Sequence, residues 1–258
     1  MNEKIIAVVS GGLDSTTMLY DSLYRGYSPD VVSFNYGQRH AKELEYAAAI
    51  ASRFSLRHDV VDLSSLTKLL SESGSSLVSG TEVPEGHYAE ENMKQTVVPN
   101  RNMIMISIAG GIAVARKATS IVLAVHAGDH FIYPDCRPEF IQAAANALVA
   151  GNEGFSSWFH SPALQGEESA ISVPYLMHSK ADIAYRAMEL GLPLEDTWSC
   201  YKGGVVHCGK CGTCVERLEA IDEAQQRWKS LDPDSTIPAD ETVYEDKEYW
   251  KTVVANRK

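Results

Sequence analysis

The chain has 258 residues, 45% of them hydrophobic, and a formal net charge of −11. That content is ample for a core in one large domain, or one domain with an appendage, while the acidic balance argues against nucleic acid as the main partner. The apolar run in MNEKIIAVVS is too short for a signal peptide, and no later segment approaches the ~20 apolar residues of a membrane span, so a cytoplasmic protein acting on a small molecule is expected.

In chain order, residues 4–10 read as a buried strand, 14–25 as a helix, 31–36 as a strand, 40–53 as a helix and 57–63 as a strand. The Ser-, Gly- and Glu-rich stretch 64–95 is long for a connector and reads as short helix plus loop, either a lid or a surface excursion. An apolar helix over 100–117, a strand over 120–125, a helix over 135–149, a short strand over 170–174 and a helix over 179–190 follow, the last stopped by Gly191 and Pro193. Strands rich in β-branched residues that alternate with helices predict an α/β fold with a parallel sheet and right-handed crossovers. Beyond Trp198 come a Cys/Gly cluster, a charged helix over 215–229 and a polar tail, which places a boundary near Leu194 between units 1–194 and 195–258.

The first strand runs into VSGGLDSTT. A parallel strand that ends in Gly-Gly and enters a helix aims backbone N–H groups, and the positive end of the helix dipole, at a phosphate. Gly11 and Gly12 allow close approach, the hydroxyls of Ser10, Ser15, Thr16 and Thr17 add donors, and Asp14 either caps the helix or holds a magnesium ion. The string lacks the Walker Gly-Lys-Ser/Thr ending and the dinucleotide fingerprint; it matches S-G-G-x-D-S, the loop of ATP-dependent adenylating enzymes.

Four of the five cysteines, Cys200, Cys208, Cys211 and Cys214, follow the spacing C-x7-C-x2-C-x2-C. Overlapping C-x2-C steps with intervening glycines let thiolates converge on one tetrahedral ion, which predicts a structural zinc site. An iron–sulfur cluster and a redox pair are the alternatives. His207, beside Cys208, reads as an exposed loop histidine.

Three further stretches, FNYGQRH, VVPNRN and HAGDHFIYPDCRPEF, fall where open parallel sheets place ligand groups. Arg101 suits a phosphate or carboxylate and Lys180, opening a helix after a strand, suits an anion; the alternative for each is a solvent-exposed cation at a helix start. Asp129, His130, Tyr133, Asp135 and Arg137 offer donors and acceptors for a heterocycle, with Phe140 available to stack. Cys136 is either a nucleophile or a small buried thiol. The aromatic loop FSSWFH, residues 155–160, reads as a subunit contact or pocket wall.

With SGGLDST, FNYGQRH, VPNRN, YPDCRPEF, PYLMHSKAD and the TWSCY-to-CGKCGTC ending in order, the whole chain resembles the 7-cyano-7-deazaguanine synthase family. The resemblance implies a Rossmann-like adenine nucleotide α-hydrolase sheet with helices on both faces, a small C-terminal zinc-binding helical subdomain and a homodimer. It implies conversion of 7-carboxy-7-deazaguanine, ammonia and ATP to the nitrile through adenylated acid and amide. Ser10, Gly11, Gly12, Leu13, Asp14, Ser15 and Thr16 would bind the pyrophosphate, with Asp14, Lys180 and Arg101 as the catalytic set and Mg2+ alongside. Asp129, Tyr133, Asp135, Arg137 and Phe140 would line the deazaguanine pocket. Two stretches depart from the commoner pattern: GDHFIYPDCR stands for V-D-Y-S-G-Y-P-D-C-R, and VPNRN for VPGRN. A paralogue that stops at the amide, an amide ligase of the NAD synthetase type, a tRNA-modifying thiouridine or lysidine synthetase, and a non-catalytic zinc protein with a decayed nucleotide fold are the competing readings.

Overall fold

Five short runs form the strands of a computed structural model that describes residues 3–38, 42–77, 82–88, 91–153 and 169–256. They are β1 (Lys4–Val8), β2 (Ser28–Asn35), β3 (His58–Asp62), β4 (Ser120–Val122) and β5 (Ile171–Ser172). All neighbours pair parallel in the order β3-β2-β1-β4-β5, with Ile6 opposite Asp30 on one side and Ile121 on the other. The chain winds outward from β1 in one direction and then returns to lay β4 on its far side. The crevice beyond the carboxyl ends of β1 and β4 is therefore the topological switch point, where such sheets bind ligands.

The two faces of the sheet follow from strand alternation. Ile6, Val32 and Ile121 point to one face and pack under α4 (Arg101–Arg116) and α5 (Pro138–Gly151), through Ile106, Ala109 and Ala113 and through Ile141 and Ala144. Ile5, Ala7 and Val31 point to the other, against Met18 and Leu19 of α1 (Leu13–Tyr24), Ala47 and Ile50 of α2 (Glu43–Arg53), and Ile183 of α6 (Lys180–Glu189). Burial of each such side chain stabilises by roughly 1.5–3 kcal/mol. After β3 come the short helix α3 (Ser64–Leu70) and two 3₁₀ turns, Ser71–Ser73 and Glu91–Thr96.

The C-terminal part is built on α7 (Gly212–Leu231), with α8 (Tyr249–Ala255) near the end. Small residues let α7 approach α6 closely: Ala220 and Ala224 meet Ala184 and Ala187, in a cluster that also takes in Leu13 and Leu194. Residues on both sides of position 194 thus share a core. Arg217 of α7 is fully buried. Its guanidinium donates to Leu194 O and Thr197 Oγ1, both at 2.6 Å, to Tyr244 OH at 2.9 Å and to Thr242 Oγ1 at 3.0 Å, so one side chain ties helix, linker and tail together.

Several elements differ from the sequence reading. The helix read over 215–229 begins earlier because Cys211 serves as its N-cap, and α8 lies in what reads as a polar tail. The helix read from 135 starts at Pro138, after a 3₁₀ turn at Pro134–Cys136. The expectation about membrane spans is corrected too. Met93–Arg116 has the length and composition of one, although Ile106, Ala109 and Ala113 within it are buried under the sheet. The aromatic loop 155–160 and His40 lie outside the described residues.

Candidate functional site

The loop between β1 and α1 owes its shape to Gly11. Its φ of +91° is left-handed, and a Cβ there would fall 2.1 Å from the carbonyl oxygen of Glu43, so only glycine fits. Gly11 O accepts from Trp198 N at 2.8 Å. Ser15 Oγ accepts from Ser10 N at 3.1 Å, and Ser10 Oγ accepts from Gly12 N at 3.3 Å. Gly12 is the N-cap of α1 and no side chain caps the helix, which leaves its positive end for an anion. Ser10, Gly12, Leu13, Asp14 and Ser15 line a cavity of about 240 Å³ at the switch point. Gly11 and Thr16 do not, and Thr16 is fully buried.

Asp14 does not cap the helix. Its Oδ2 pairs with Lys180 Nζ at 2.5 Å, and its Oδ1 is buried with no hydrogen bond among the described residues. Lys180 is the first residue of α6, held there by Ser179, whose hydroxyl accepts from Asp182 N in a capping box. A second carboxylate, Glu216 of α7, lies 3.5 Å from Lys180 on the cavity wall. Burial opposes the lysine's charge, but Asp14 and Glu216 outweigh it and hold Lys180 above the usual lysine range. Burial likewise works against ionised Asp14, yet Lys180 and His126 keep its carboxyl below its ordinary value. For Glu216 burial wins and the carboxyl is raised, Lys180 and His126 only partly compensating.

Across the cavity, Arg101 opens α4. The preceding Asn100 has φ +58°, a left-handed conformation that glycine adopts freely and asparagine tolerates better than most residues. The Arg101 guanidinium stands 5.8 Å from the Tyr36 ring and 5.7 Å from the Tyr133 ring. Burial opposes its charge, and the surrounding tyrosines Tyr36, Tyr133 and Tyr201 favour it, keeping Arg101 cationic. Glu43, beside it and only 9% exposed, receives a bond from Gln38 Nε2 at 3.2 Å, and burial pushes its carboxyl up to about 8.

Of the residues expected to line a base pocket, Asp129 and Tyr133 reach the cavity. Asp129 accepts from Tyr88 OH at 3.1 Å and from His126 N at 3.2 Å, while Tyr133 OH bonds Thr96 Oγ1 at 2.6 Å. The structure does not bring Asp135, Arg137 or Phe140 there. Asp135 Oδ2 accepts from Asn102 N at 3.0 Å and so stabilises the start of α4; Arg137 is exposed and donates to His130 O at 2.9 Å; Phe140 packs on the core beside α4. Cys136 also lines the cavity, as a buried thiol whose burial disfavours the thiolate. It is 3% exposed, receives Asn102 Nδ2 at 3.2 Å, and burial pushes its pKa well up.

The four cysteine side chains are buried, with their sulfurs all within 4.8 Å of one another. Backbone N–H groups of Lys210 and Cys211 donate to Cys208 Sγ at 3.3 and 3.2 Å, which favours a thiolate. His207 is not exposed as expected. It is 2% exposed, its ring 4.3 Å from that of Trp198, and its Nε2 accepts from Ser199 N at 3.1 Å. Burial and nearby Arg217 push it down to about 3, so it is neutral.

Sequence reasoning passed over Glu43, Tyr88, His126, Trp198 and Glu216, all of which line the cavity. Glu43 follows FNYGQRH, and His126 sits inside a stretch already singled out, so proximity to those motifs was the available signal. Tyr88 belongs to the stretch read as lid or excursion, and the isolated bridge of Glu85 with Cys211 pins that stretch to the cysteine cluster.

Residues 4–225 match the family described as "Queuosine biosynthesis protein QueC". A 7-cyano-7-deazaguanine synthase from Rhizobium johnstonii is 47% identical over 252 residues, covering 98% of this chain and 96% of the relative. One from Paracoccus denitrificans is 44% identical over 254 residues, covering 98% of each. Among solved structures, NMN synthetase from Francisella tularensis aligns over 100% of this chain and 87% of its own, at 10% identity and a TM-score of 0.46. With a family match across most of its length and such identity to these relatives, the chain belongs to the 7-cyano-7-deazaguanine synthase family.

Proposed function

We propose that the protein is an ATP-dependent ligase that converts 7-carboxy-7-deazaguanine and ammonia to 7-cyano-7-deazaguanine. The observation that carries the reading is the convergence on one cavity of an uncapped helix N-terminus, the Lys180 ammonium and the Arg101 guanidinium. A carboxylate becomes a nitrile only if both oxygens leave, and neither leaves unaided. In the first half, a carboxylate oxygen of the substrate attacks the α-phosphorus of ATP and pyrophosphate departs. Ammonia then attacks the acyl carbon, the C–O bond breaks, and AMP leaves as the nitrogen sheds a proton. In the second half the amide oxygen attacks another ATP, pyrophosphate departs, and loss of AMP with the remaining N–H protons forms C≡N.

The chain's own groups have distinct tasks in this scheme. Ser10, Gly11, Gly12, Leu13, Asp14, Ser15 and Thr16 form the pyrophosphate loop, Gly11 and Thr16 by shaping it. Lys180 and Arg101 offset charge that develops on phosphate oxygens, the kind of fixed electrostatic stabilisation that dominates many catalysed reactions. Asp129 and Tyr133 face the deazaguanine; Asp135 and Arg137 support their loop from outside. Asp14, whose buried Oδ1 has no hydrogen-bond partner among the described residues, would hold a magnesium ion, which would supply neutralisation of pyrophosphate charge.

Unit 1–194 carries the pyrophosphate loop and unit 195–258 the metal site, the latter also lending Trp198, Thr213 and Glu216 to the wall of the nucleotide cavity. Zinc fits Cys200, Cys208, Cys211 and Cys214. A Zn–S distance of about 2.3 Å puts tetrahedral sulfurs roughly 3.8 Å apart, compatible with four sulfurs within 4.8 Å, whereas a polynuclear cluster spreads its cysteines over different irons. Four sulfurs complete the tetrahedron, so its chemistry is structural. The reading includes a homodimer, as the sequence resemblance implies, and a cytoplasmic location.

Mass spectrometry of 7-carboxy-7-deazaguanine incubated with protein, ammonium, magnesium and ATP tests the proposal. A product that has gained one ammonia and lost two waters, with AMP formed, is expected. Accumulation of the amide alone would assign a paralogue halted at the first half, and an unchanged acid would defeat the reading.

A further inference from the structure

Helix α7 distributes its first turns among three tasks. Cys211 caps it and Cys214 faces the cysteine cluster, whereas Arg217 reaches the linker and tail. Thr213 and Glu216, three residues apart and so on one face, line the cavity. Thr213 Oγ1 donates to Ser199 O at 2.8 Å, which fixes this face against the segment that bonds Gly11. Glu216 is 12% exposed on its side chain and stands 3.5 Å from Lys180 Nζ, while Asp14 stands 2.5 Å from the same nitrogen. Its other oxygen is beside Gly128, where a Cβ would come within 3.4 Å of it.

We propose that Glu216 is a positioning residue for the reaction, supplied to the nucleotide cavity by the cysteine-bearing helix and acting through Lys180. A lysine on a flexible four-carbon stem adopts many positions. Asp14, on the pyrophosphate loop, supplies one contact to the ammonium; Glu216, from α7, supplies a second from a different element, so the nitrogen is fixed between two carboxylates rather than left to swing about one. Both carboxylates are largely desolvated, so the position they define is stiff. The inference rests on the nitrile-synthase reading.

The test is a double-mutant cycle on the full-length, metal-loaded protein, with E216Q, K180M and E216Q/K180M. The readouts are AMP release and the acid-dependent exchange of labelled pyrophosphate into ATP, with bound metal per chain and thermal midpoint measured on each variant. E216Q is expected to lower kcat about tenfold or more while KM for ATP moves by less than about threefold, with metal content unchanged. In the K180M background the same substitution is expected to change the residual rate less than about twofold, because the group it acts through is gone. E216D, which keeps the charge, is expected to recover part of the loss. Wild-type kcat in E216Q overturns the inference, as does an E216Q effect that persists at full size in K180M. Should E216Q lose metal or stability, E216D decides: metal-loaded E216D no more active than E216Q overturns it. A wild-type protein without acid-dependent exchange would sink the functional reading itself and the inference with it, whatever the variants do.

Discussion

At Gly11 two demands coincide, a φ of +91° and a Cβ position 2.1 Å from Glu43 O. Gly11→Ala is therefore expected to destabilise the fold by more than about 1 kcal/mol and to weaken ATP binding together with it. Thermal unfolding and ATP titration of the variant check this, and an unaltered midpoint would count against the loop geometry. Glu43 gives a pH signature. Its folded carboxyl is raised to about 8 from 4.5 by burial, so its stabilising contribution is complete below 4.5. As pH climbs, the unfolded chain ionises first, and stability falls until the folded carboxyl ionises as well. Glu43→Gln should remove that fall, making the variant more stable than the parent at pH 8 by on the order of 4 kcal/mol and similar to it near the low end of the window. Urea unfolding of both proteins across that range is the measurement; parallel curves would show that Glu43 is not a buried neutral acid.

Among the elements, those with a strong local signature were readable from sequence alone. The β-branched runs of β1 and β2, the Gly-Gly entry into α1 and the close cysteine spacing all act within a few residues, and the structure places each near its expected position. What was not readable depends on register between distant elements. Arg217 sits in a charged helical stretch and looks solvated, yet the packing of α7 on α6 turns it inward onto Leu194 O and Thr242. Asp135 looks like a base-reading acid in YPDCRPEF but spends its carboxylate on the start of α4. Because Arg217 clamps the tail and is fully buried, Arg217→Ala should leave Asp240 and Tyr244 without their cation. Loss of a buried pair of this kind costs about 3–5 kcal/mol, and the tail around α8 should detach before the sheet does. Limited proteolysis reads this directly: faster cleavage within 232–256 with the remainder intact is expected, and an unchanged cleavage pattern would mean that the tail is held by something else.

At the scale of the whole molecule, the cysteine cluster and the nucleotide loop are mechanically joined. Trp198 N donates to Gly11 O, Trp198 Nε1 donates to Cys200 O at 3.0 Å, and α7, which starts on the cluster, packs against Leu13 and α6. Metal binding at four cysteines is folding free energy for the segment that carries them. Stripping the metal with a strong chelator should therefore loosen 195–258 first, and with it lose the hydrogen bond that shapes the loop and the Glu216 wall of the cavity. The expected result is a fall in ATP affinity of about tenfold or more, while far-UV circular dichroism retains most of the α/β signal. Linkage makes the effect reciprocal: a non-hydrolysable ATP analogue should oppose metal loss by the same factor, since whatever holds the loop holds the cluster. Calorimetric titration of ATP before and after chelation measures one side, and metal affinity determined by chelator competition with and without the analogue measures the other. If metal-depleted protein still bound ATP with its original affinity, the cysteine-bearing segment would be an independent appendage, and the contacts from Trp198 to Gly11 and Cys200 would transmit nothing.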